Sequence, residues 1–382
     1  MREIKYISNI DRLDGIPESE KASLKEVTQQ YIFRSNNYYL SLIDWTDPSD
    51  PIRRLIIPDP KELDDWGYID PSMEDQYTVL PGLQHKYDST ALLLVSKVCG
   101  GICRYCFRKR LFLGRQSDIL RDFPAALGYI QSHKEITNVL LTGGDPLMLS
   151  TGKLERFIKA LFAVDHIRIV RIGTKLLSFN PFRVTRDPSL LEMIKRFNEM
   201  GRKIYIVTHF SHVREFTPEA ARAVALLQSV GAVLINQCPL IRGVNDNPEQ
   251  LAELFRALAF AGVPPYYVFQ CRPAIGNRTY AVPIEEGYEI FEKAKAMVSG
   301  LAKRARFVMS HATGKLEIVG KTEELMFFKY HRAARNEDSG RFLIMVRNPQ
   351  AYWFDDYEQI VDEYPLAWPQ GALGGLDSAV LS

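Results

Sequence analysis

The sequence predicts an α/β fold in which a parallel sheet curves into a partial barrel. Short apolar segments recur at residues 91–96, 138–142, 167–173, 203–208, 232–237 and 265–270. Amphipathic helical spacing fills the stretches between them, for example residues 150–164, 187–200 and 217–231. Near-continuous apolar strands that alternate with helices are typical of a parallel sheet covered on its outer face. Six such units favour a partial barrel over a small doubly wound sheet.

Polar and glycine-rich residues follow each predicted strand. Examples are TGGDP after the second segment, THFSH after the fourth and QCRPAIG after the sixth. In parallel α/β folds the carboxyl ends of the strands lie at one edge of the sheet, where ligands bind. We therefore expect one shared functional site at that edge.

The regions on either side of the predicted barrel differ from it in pattern. Residues 1–85 begin with a helical stretch and continue into a Pro- and Asp-rich segment, whose prolines break regular structure. We interpret these residues as an arm that wraps the barrel, and we expect the barrel to span residues 86–300. Residues 301–382 are expected to form a strand-rich closing segment with an aromatic, acidic tail.

The bulk composition argues against several classes of protein. The chain has 382 residues, a formal net charge of +2 and 46% hydrophobic residues, which is ordinary for a globular protein. A near-neutral charge gives no case for nucleic acid or an anionic membrane as a partner, and no apolar run approaches the roughly 20 residues that span a bilayer. The start of the chain lacks a secretory pattern, and the cysteines are odd in number with three close together. We expect a cytoplasmic protein, and the sequence leaves a homo-oligomer open.

Three of the cysteines lie in VCGGICRYCFRKRLF, residues 98–112, directly after the first apolar segment. Cys99, Cys103 and Cys106 have a spacing that suits zinc or an iron–sulfur cluster. Structural zinc normally takes four protein ligands, and no fourth Cys or His is near in sequence. A [4Fe–4S] cluster held by three cysteines keeps one iron open, as is required by enzymes that use S-adenosylmethionine (SAM) as a radical source. We favour the cluster, and a zinc knuckle is the alternative.

Six motifs, in this order, resemble those of the lysine 2,3-aminomutase family of the radical SAM superfamily. They are CRYCFRKR, LLTGGDPL, VRIGTK, THFSH, NQCPLIRGVND and PYYVFQC, and the resemblance extends from DPSDPIRRLIIPD to HATGK, over most of the chain. It implies a radical SAM partial (βα)6 barrel and an aminomutase, an isomerase that moves the amino group of a small-molecule amino acid. The implied cofactors are a [4Fe–4S] cluster, SAM and pyridoxal 5′-phosphate (PLP), with a reductant such as flavodoxin or ferredoxin.

The resemblance also implies roles for individual positions. The three cysteines would bind the cluster, and the SAM-binding residues would be Tyr105, Gly143, Gly144, Asp145, His209 and Gln237. The glycines permit close backbone approach, and a carboxylate can accept hydrogen bonds from the SAM amino group. Taken alone, GGDP would be a tight turn, and the His and Gln would be hydrogen-bonded residues at strand ends.

The basic run after the cysteines contains a further match. Arg108 corresponds to the family arginine that binds the substrate α-carboxylate, and a planar guanidinium suits bidentate contact with a carboxylate. We expect Lys109 or Arg110 to be a solvated residue at the start of a helix.

The PLP site departs from the family pattern. The PLP lysine is matched by Lys315 in SHATGKLE, in a shorter turn with a single glycine, and such a lysine reacts only when it is unprotonated. On the phosphate side, the family's arginine–tyrosine pair is replaced by Lys86 and Tyr87, a second arginine by Thr90, and the last arginine of RIGxR by Lys175. The resemblance assigns PLP binding to Lys315, Lys86, Tyr87 and Lys175. The alternative is that Lys315 is a surface lysine in a β-turn.

The substrate pocket departs at two positions. Lysine-specific members of the family carry one aspartate after QC and another before the PLP lysine, and here these positions hold Arg272 and Ser310. An arginine would repel the side chain of lysine and match a carboxylate. We therefore expect an acidic substrate, glutamate or aspartate. The alternative for Arg272 is a salt bridge to Glu285 or Glu286.

Three other functions are consistent with the sequence. The first is a radical SAM enzyme on the same scaffold with a different reaction and no PLP, because fold similarity does not fix the reaction. The second is lysine 2,3-aminomutase activity on free or protein-bound lysine, against which the arginine after QC argues. The third is a zinc-binding or cluster-binding protein without enzymatic activity.

Overall fold

The computed structural model describes residues 3–113 and 118–366. Its strands are β1 (Tyr6–Ile7), β2 (Ser35–Asn36), β3 (Thr78–Leu80), β4 (Leu83–Tyr87), β5 (Thr90–Ser96), β6 (Asn138–Gly143), β7 (Ile169–Thr174), β8 (Lys203–Thr208), β9 (Val233–Pro239), β10 (Pro265–Phe269), β11 (Arg306–His311), β12 (Gly314–Lys321), β13 (Leu325–Ala333), β14 (Phe342–Val346) and β15 (Ile360–Tyr364). Its helices are α1 (Glu18–Gln30), α2 (Asn37–Leu40), α3 (Pro51–Ile56), α4 (Phe123–Ser132), α5 (Thr151–Phe162), α6 (Leu176–Phe179), α7 (Phe182–Thr185), α8 (Pro188–Glu199), α9 (Pro218–Ser229), α10 (Pro248–Phe260) and α11 (Ile284–Ala296). Residues 367–382 of the expected closing segment lie outside the described residues, as do residues 1–2 and 114–117.

The described strands β3 to β15 form one 13-stranded mixed sheet, in which neighbours in the chain are neighbours in the sheet. Strands β5 to β11 run parallel, whereas the strands before β5 and after β11 pair antiparallel. The predicted α/β class is confirmed, with a mixed rather than a purely parallel sheet. The sheet continues through both expected boundaries, near residues 85 and 300, so the division into arm, barrel and closing segment stays a prediction.

Helices join the successive parallel strands, and α8 shows why the chain is helical there. Asp187 caps its first turn by accepting a hydrogen bond from the backbone N–H of Leu190 at 3.2 Å, and Pro188 occupies the first turn, where its missing N–H costs nothing. The buried side chains recur at helical spacing on one face and are Leu190, Met193, Ile194 and Phe197. Burying each of them stabilises the fold by roughly 1.5–3 kcal/mol.

The sheet has one face that carries polar and charged side chains. In β7, Val170 and Ile172 are buried in the apolar core while Arg171 points to the opposite side, because side chains alternate along a strand. Cross-strand register extends this face along the sheet. Its members include Thr90, Thr142, Arg171, Gln237, Tyr267, Ser310, Lys315 and Arg332. We call this set the polar face of the sheet.

The Pro- and Asp-rich segment lies across the ends of strands β10 and β11. Tyr68 donates its backbone N–H to Pro273 O at 2.7 Å, Ser72 donates its hydroxyl to Ser310 O at 2.7 Å, and Tyr77 donates to Ala312 O at 2.6 Å. These bonds fix the short 3-10 helix Glu74–Tyr77 beside the polar face. In the part of the chain that the structure describes, no helix is long and apolar enough to cross a membrane.

Candidate active site

The three clustered cysteines lie on the loop that leaves the carboxyl end of β5. All are free thiols. Burial raises the pKa of Cys99 well above its ordinary value and that of Cys103 to about 12, and the charge of the neighbouring thiols adds to both shifts. Burial also raises the pKa of Cys106. The three thiols are therefore near enough to raise one another's pKa, and their thiolate forms need a cationic partner.

The arm holds this loop in place through a buried ion pair. Arg104, 1% exposed, donates from Nε and Nη2 to the two carboxylate oxygens of Glu62, 0% exposed, at 2.9 and 2.8 Å. Arg34 of the arm donates from Nε to Cys99 O at 3.0 Å, and its own carbonyl accepts from Ile102 N at 2.8 Å. The backbone between the first two cysteines is thus positioned by residues that precede the sheet.

The basic run is not solvated, and that expectation was wrong. Lys109 is 5% exposed and Arg110 is 1% exposed, and both lie in the 3-10 helix Lys109–Phe112. The Lys109 ammonium donates to Gly276 O at 3.1 Å, and Arg110 pairs with Asp70 at 3.1 Å and Asp118 at 2.7 Å. Long-range carboxylates neutralise these charges, which the local sequence pattern does not reveal.

The glycine loop after β6 lies against the start of the cysteine loop. Gly144 donates its N–H to Ser96 O at 2.6 Å, and Asp145 donates its N–H to Val98 O at 2.8 Å. A Cβ atom on Gly144 would stand 2.6 Å from Val98 O, and Gly143 has a φ of +118°. Both glycines are needed for this close approach, so the loop fixes the backbone next to the first cysteine.

The carboxylate of Asp145 is already occupied by internal hydrogen bonds. It accepts from Leu147 N at 3.0 Å, from Thr174 Oγ1 at 2.8 Å and from Lys175 N at 2.9 Å. Burial raises its pKa to about 6. These contacts make it a link between the ends of β6 and β7, and its expected contact with SAM stays a prediction.

Two of the residues expected to bind SAM meet directly. The hydroxyl of Tyr105 lies 3.2 Å from Nε2 of His209 and 3.2 Å from Oγ of Ser211. Burial, followed by the charge of Lys175, lowers the pKa of His209 well below its ordinary value, so the imidazole is neutral. Gln237 stands on the polar face, in register with Tyr267 of β10.

Lys175 lies on the side of the cysteine loop rather than at the expected PLP phosphate. Its ammonium donates to His209 O at 2.9 Å and pairs with the fully buried Glu215 at 2.6 Å. Glu215 also accepts from the Tyr39 hydroxyl at 2.6 Å. This ion pair already neutralises the ammonium, and the expected role of Lys175 in PLP binding stays a prediction.

Lys315 belongs to β12 and is in direct register with Ser310 of β11 and Arg332 of β13. Its ammonium lies 3.9 Å from the centroid of the Tyr267 ring. Burial lowers its pKa well below the ordinary lysine value, and the strongest further effects come from Arg332, Arg171, Arg272 and Lys86. The alternative of a surface lysine in a β-turn is wrong. A neutral amine among cations is the form that attacks an aldehyde.

The pair Lys86 and Tyr87 ends β4 close to Lys315. Lys86 donates its ammonium to the carbonyl of His311, and burial, followed by the charge of Arg272, lowers its pKa to about 7. The hydroxyl of Tyr87 is buried and has no hydrogen-bond partner among the described residues. The expected roles of both residues in PLP binding stay predictions.

Arg108 and Arg272 converge on a carboxylate that the sequence did not indicate. Arg108 donates to both oxygens of Glu74, from Nε at 3.0 Å and Nη2 at 2.9 Å, and from Nη1 to Thr142 Oγ1 at 3.2 Å. Arg272 lies 3.7 Å from the same carboxylate, and its guanidinium stacks 3.7 Å from the centroid of the Phe107 ring. Glu74 thus links the two arginines expected to bind substrate.

The alternative salt bridges of Arg272 are wrong. Glu285 pairs with Arg347 at 2.7 Å and Glu286 pairs with Arg242 at 2.5 Å. The Nη1 atom of Arg272 is buried without a hydrogen-bond partner among the described residues. Burial lowers its pKa to about 10, so the guanidinium remains charged at neutral pH.

Known proteins resemble the chain over most of its length. A protein of Aquifex aeolicus named "Putative L-lysine 2,3-aminomutase" is 54% identical over 95% of this chain and 97% of its own length. The L-lysine 2,3-aminomutase of Clostridium subterminale is 35% identical over 78% of this chain and 71% of its own length. The chain belongs to the lysine 2,3-aminomutase family. It is a radical SAM enzyme of the aminomutase class, as its sequence motifs indicated.

A further relative in the lysine 2,3-aminomutase family carries a different substrate in its name. The glutamate 2,3-aminomutase of Clostridioides difficile is 34% identical over 78% of this chain and 70% of its own length. The chain is thus almost equally identical in sequence to this enzyme and to the clostridial lysine enzyme. Overall sequence similarity therefore does not decide between glutamate and lysine as the substrate. A scan against models of protein families finds no match.

The donor atoms of the site fit the cofactors that the lysine 2,3-aminomutase family implies. A [4Fe–4S] cluster takes thiolates on separate irons, which suits three free thiols that share one loop. Within residues 3–113 and 118–366, no three His, Cys, Asp or Glu side chains are grouped as ligands of one metal ion. The Tyr87 hydroxyl and the Nε atom of Arg171 are buried and have no hydrogen-bond partner among the described residues, so the lining near Lys315 contains donors of the kind that an anionic cofactor needs.

Sequence reasoning missed Glu62, Glu74, Arg171 and Arg332 as members of the site. Arg171 is a charged residue within an otherwise apolar strand, and that pattern could have marked it as facing a site. Glu62 and Glu74 lie in the Pro- and Asp-rich segment among other acidic residues, where nothing in the local sequence distinguishes them.

Proposed function

We propose that this chain is a PLP-dependent 2,3-aminomutase that acts on an acidic α-amino acid, glutamate or aspartate. The observation that carries the proposal is the charge around Lys315. The four strongest electrostatic effects on its pKa, after burial, all come from cations. A pocket of this kind binds an anionic cofactor and a substrate with more than one carboxylate.

The fold part of the proposal is a radical SAM partial barrel. Parallel strands β5 to β10 follow one another in chain order, and a helix lies between each pair. This sequence of units supports a (βα)6 arrangement whose strand ends carry the chemistry.

Specific residues are proposed to hold the cofactors. Cys99, Cys103 and Cys106 would bind the [4Fe–4S] cluster. SAM would be held by the residues near the cysteine loop, namely Tyr105, Gly143, Gly144, Asp145, His209 and Gln237. PLP would be held at Lys315 with Lys86 and Tyr87. When bound, the cluster and SAM supply a hydrogen-abstracting radical, and PLP supplies a ring that delocalises it.

Arg108 and Arg272 are proposed to position the substrate carboxylates beside the polar face. The planar guanidinium of Arg108 donates two hydrogen bonds to Glu74. The α-carboxylate of a substrate would replace Glu74 and accept the same two hydrogen bonds. The Nη1 atom of Arg272 is buried near Arg108 without a hydrogen-bond partner among the described residues, and it would bind the distal carboxylate. Ser310 is on the same face as Lys315, and its small, uncharged side chain would leave space for the substrate beside that lysine.

Lysine is the second candidate substrate, because the 54% identical relative carries that name and because Glu74 places a carboxylate in the pocket. However, Glu74 already accepts hydrogen bonds from Arg108 and Arg110. A lysine ammonium would have to compete with these guanidinium groups and would be repelled by Arg272. A reductant such as flavodoxin or ferredoxin and a cytoplasmic location also belong to the proposal.

Anaerobic reconstitution tests the proposed cofactors and reaction class. The full chain would be reconstituted with iron, sulfide and PLP and then incubated with SAM, a strong reductant and glutamate. We expect bound PLP, methionine and 5′-deoxyadenosine in the products, and isomerised glutamate. SAM cleavage by a protein that binds no PLP would instead support a different radical SAM reaction, and zinc on the three thiols would contradict the proposal.

A further inference from the structure

Arg332 is the charged residue that lies directly opposite Lys315 across strands β12 and β13. Its guanidinium donates to the hydroxyl of Ser89 at 3.1 Å and to that of Thr90 at 3.3 Å. It stacks 4.3 Å from the centroid of the Tyr87 ring. In the described residues no carboxylate forms a salt bridge with it. The guanidinium is therefore oriented by neutral groups, and its charge is not neutralised.

Arg171 adds a second uncompensated guanidinium on the same face of the sheet. It stands on β7, and its Nε atom is buried without a hydrogen-bond partner in the part of the chain that the structure describes. Burial lowers its pKa, and the charge of Arg332 lowers it further. The two arginines are thus close enough to repel one another, and an anion between them would relieve both the repulsion and the missing hydrogen bond.

The Tyr87 hydroxyl completes a set of donors around this space. It is buried and unpartnered among the described residues, while the ring beside it is covered by Arg332. Leaving a buried donor unsatisfied costs roughly 1–3 kcal/mol. The unsatisfied donors are the Tyr87 hydroxyl and the Nε atom of Arg171, and together with the guanidinium of Arg332 they are complementary to an anion with several acceptor oxygens. A phosphate group has that chemistry.

We propose that Arg332, together with Arg171 and the Tyr87 hydroxyl, binds the phosphate of PLP held at Lys315. The inference rests on the proposed function, because it assumes that Lys315 holds the cofactor. It assigns the phosphate to a strand after the PLP lysine rather than to Lys175, whose ammonium is paired with Glu215. The resemblance places an arginine at the position of Thr90. Arg332 donates hydrogen bonds to Thr90, so it brings a guanidinium to this position from β13.

Comparing PLP with pyridoxal, which lacks the phosphate, tests this assignment without turnover. Dissociation constants of both compounds would be measured on the anaerobically reconstituted full chain by visible absorbance, in the absence of SAM. The wild type should bind PLP more tightly than pyridoxal. Arg332→Gln should weaken PLP binding by about 10-fold or more and leave pyridoxal binding unchanged, because only the phosphate contact is lost. Lys329→Gln, an exposed residue on the same strand, is the matched control and should change neither constant.

Each result decides the inference. Equal affinity losses for both compounds, or no loss for PLP, in Arg332→Gln would overturn it. If that variant does not fold, Arg171→Gln and Tyr87→Phe must show the loss that is confined to PLP, or the inference fails. A wild type that binds neither compound would overturn the proposed function as well, whereas PLP binding that depends on Lys315 but not on Arg332 would overturn the inference alone.

Discussion

Glu74 accepts two hydrogen bonds from Arg108, one from Nε at 3.0 Å and one from Nη2 at 2.9 Å. The same carboxylate pairs with Arg110 at 2.5 Å and lies 3.7 Å from Arg272. A residue that precedes the sheet in the chain is therefore the shared counter-charge of these three arginines. This contact joins the arm, the cysteine loop and the end of β10 in one charged network.

Replacing this carboxylate should destabilise the protein in a pH-dependent way. Burial raises the pKa of Glu74, but Arg108, Arg110 and Arg272 outweigh it and lower the pKa well below the ordinary value of 4.5. The stabilisation is therefore complete above pH 4.5 and is lost as the pH falls toward the lowered pKa. We expect Glu74→Gln to lower the free energy of unfolding by about 3 kcal/mol at neutral pH. In denaturant titrations the difference in the free energy of unfolding between Glu74→Gln and wild type should be smaller at about pH 3 than at neutral pH. A difference that does not depend on pH would contradict the lowered pKa of Glu74.

The buried pair Glu62 and Arg104 should control both stability and cluster content. Because both side chains are at most 1% exposed, Glu62→Gln leaves a buried guanidinium without its counter-charge, at a cost of roughly 3–5 kcal/mol. We expect a lower melting temperature and less iron per chain after reconstitution. Arg196→Gln breaks a pair whose side chains are 54% and 35% exposed and should cost less than about 1 kcal/mol. Full iron loading in Glu62→Gln would show that the pair does not position the cysteine loop.

Lys315→Ala should abolish the visible absorbance of protein-bound PLP while the iron content stays at the wild-type level. The lowered pKa of Lys315 means that its amine loses the proton at a lower pH than an ordinary lysine does. The rate of PLP capture by the wild type should therefore rise less between about pH 7 and pH 9 than the rate expected of a lysine with the ordinary pKa of about 10.4. Lys321→Ala on the same strand is the control and should retain PLP. A capture rate that rises steeply with pH over this range would mean that the lysine is not buried among cations as the structure has it.

Arg272→Gln should impair the acidic substrate selectively. Loss of one buried charge-assisted contact costs at least about 2 kcal/mol, which is on the order of 30-fold in kcat/KM. Arg272→Asp restores the carboxylate that the resemblance places there in lysine-specific members, and it should shift turnover toward lysine. Steady-state kinetics with glutamate and lysine measure both effects, and Arg278→Gln serves as a nearby arginine control. Unchanged glutamate kinetics in Arg272→Gln would remove this residue from substrate recognition.

The parts of the fold with a local periodic signal were predictable. Alternation of apolar strands with amphipathic helices indicated the α/β class, and the six predicted segments overlap strands β5 to β10. The antiparallel flanks of the sheet were less predictable, because no helix separates their strands and so the alternating pattern that marked β5 to β10 is missing there. The spacing of Cys99, Cys103 and Cys106 marked their loop because that chemistry depends on positions close in sequence.

The contacts of the candidate site that the sequence did not reveal share one physical origin. Lys109, Arg110 and Lys175 are buried because carboxylates far away in sequence neutralise them, and the partner of Lys175 is 40 positions further along the chain. Arg332 belongs to the site because it is in register with Lys315. Glu74 belongs to it because the segment before the sheet lies beside the polar face. Such pairings depend on tertiary structure, so a single sequence without a structure does not display them.

Substrate turnover tests the central claim most directly. The reconstituted enzyme would receive SAM, PLP, a strong reductant and either glutamate, aspartate or lysine, each labelled with carbon-13 at the α-carbon. NMR of the product would locate the amino group relative to the labelled carbon. The label is needed for aspartate, because moving its amino group from Cα to Cβ gives aspartate again and changes only the position of the label. We predict migration in glutamate or aspartate at a rate well above that in lysine. Migration in lysine with none in either acidic amino acid would contradict the assignment of an acidic substrate.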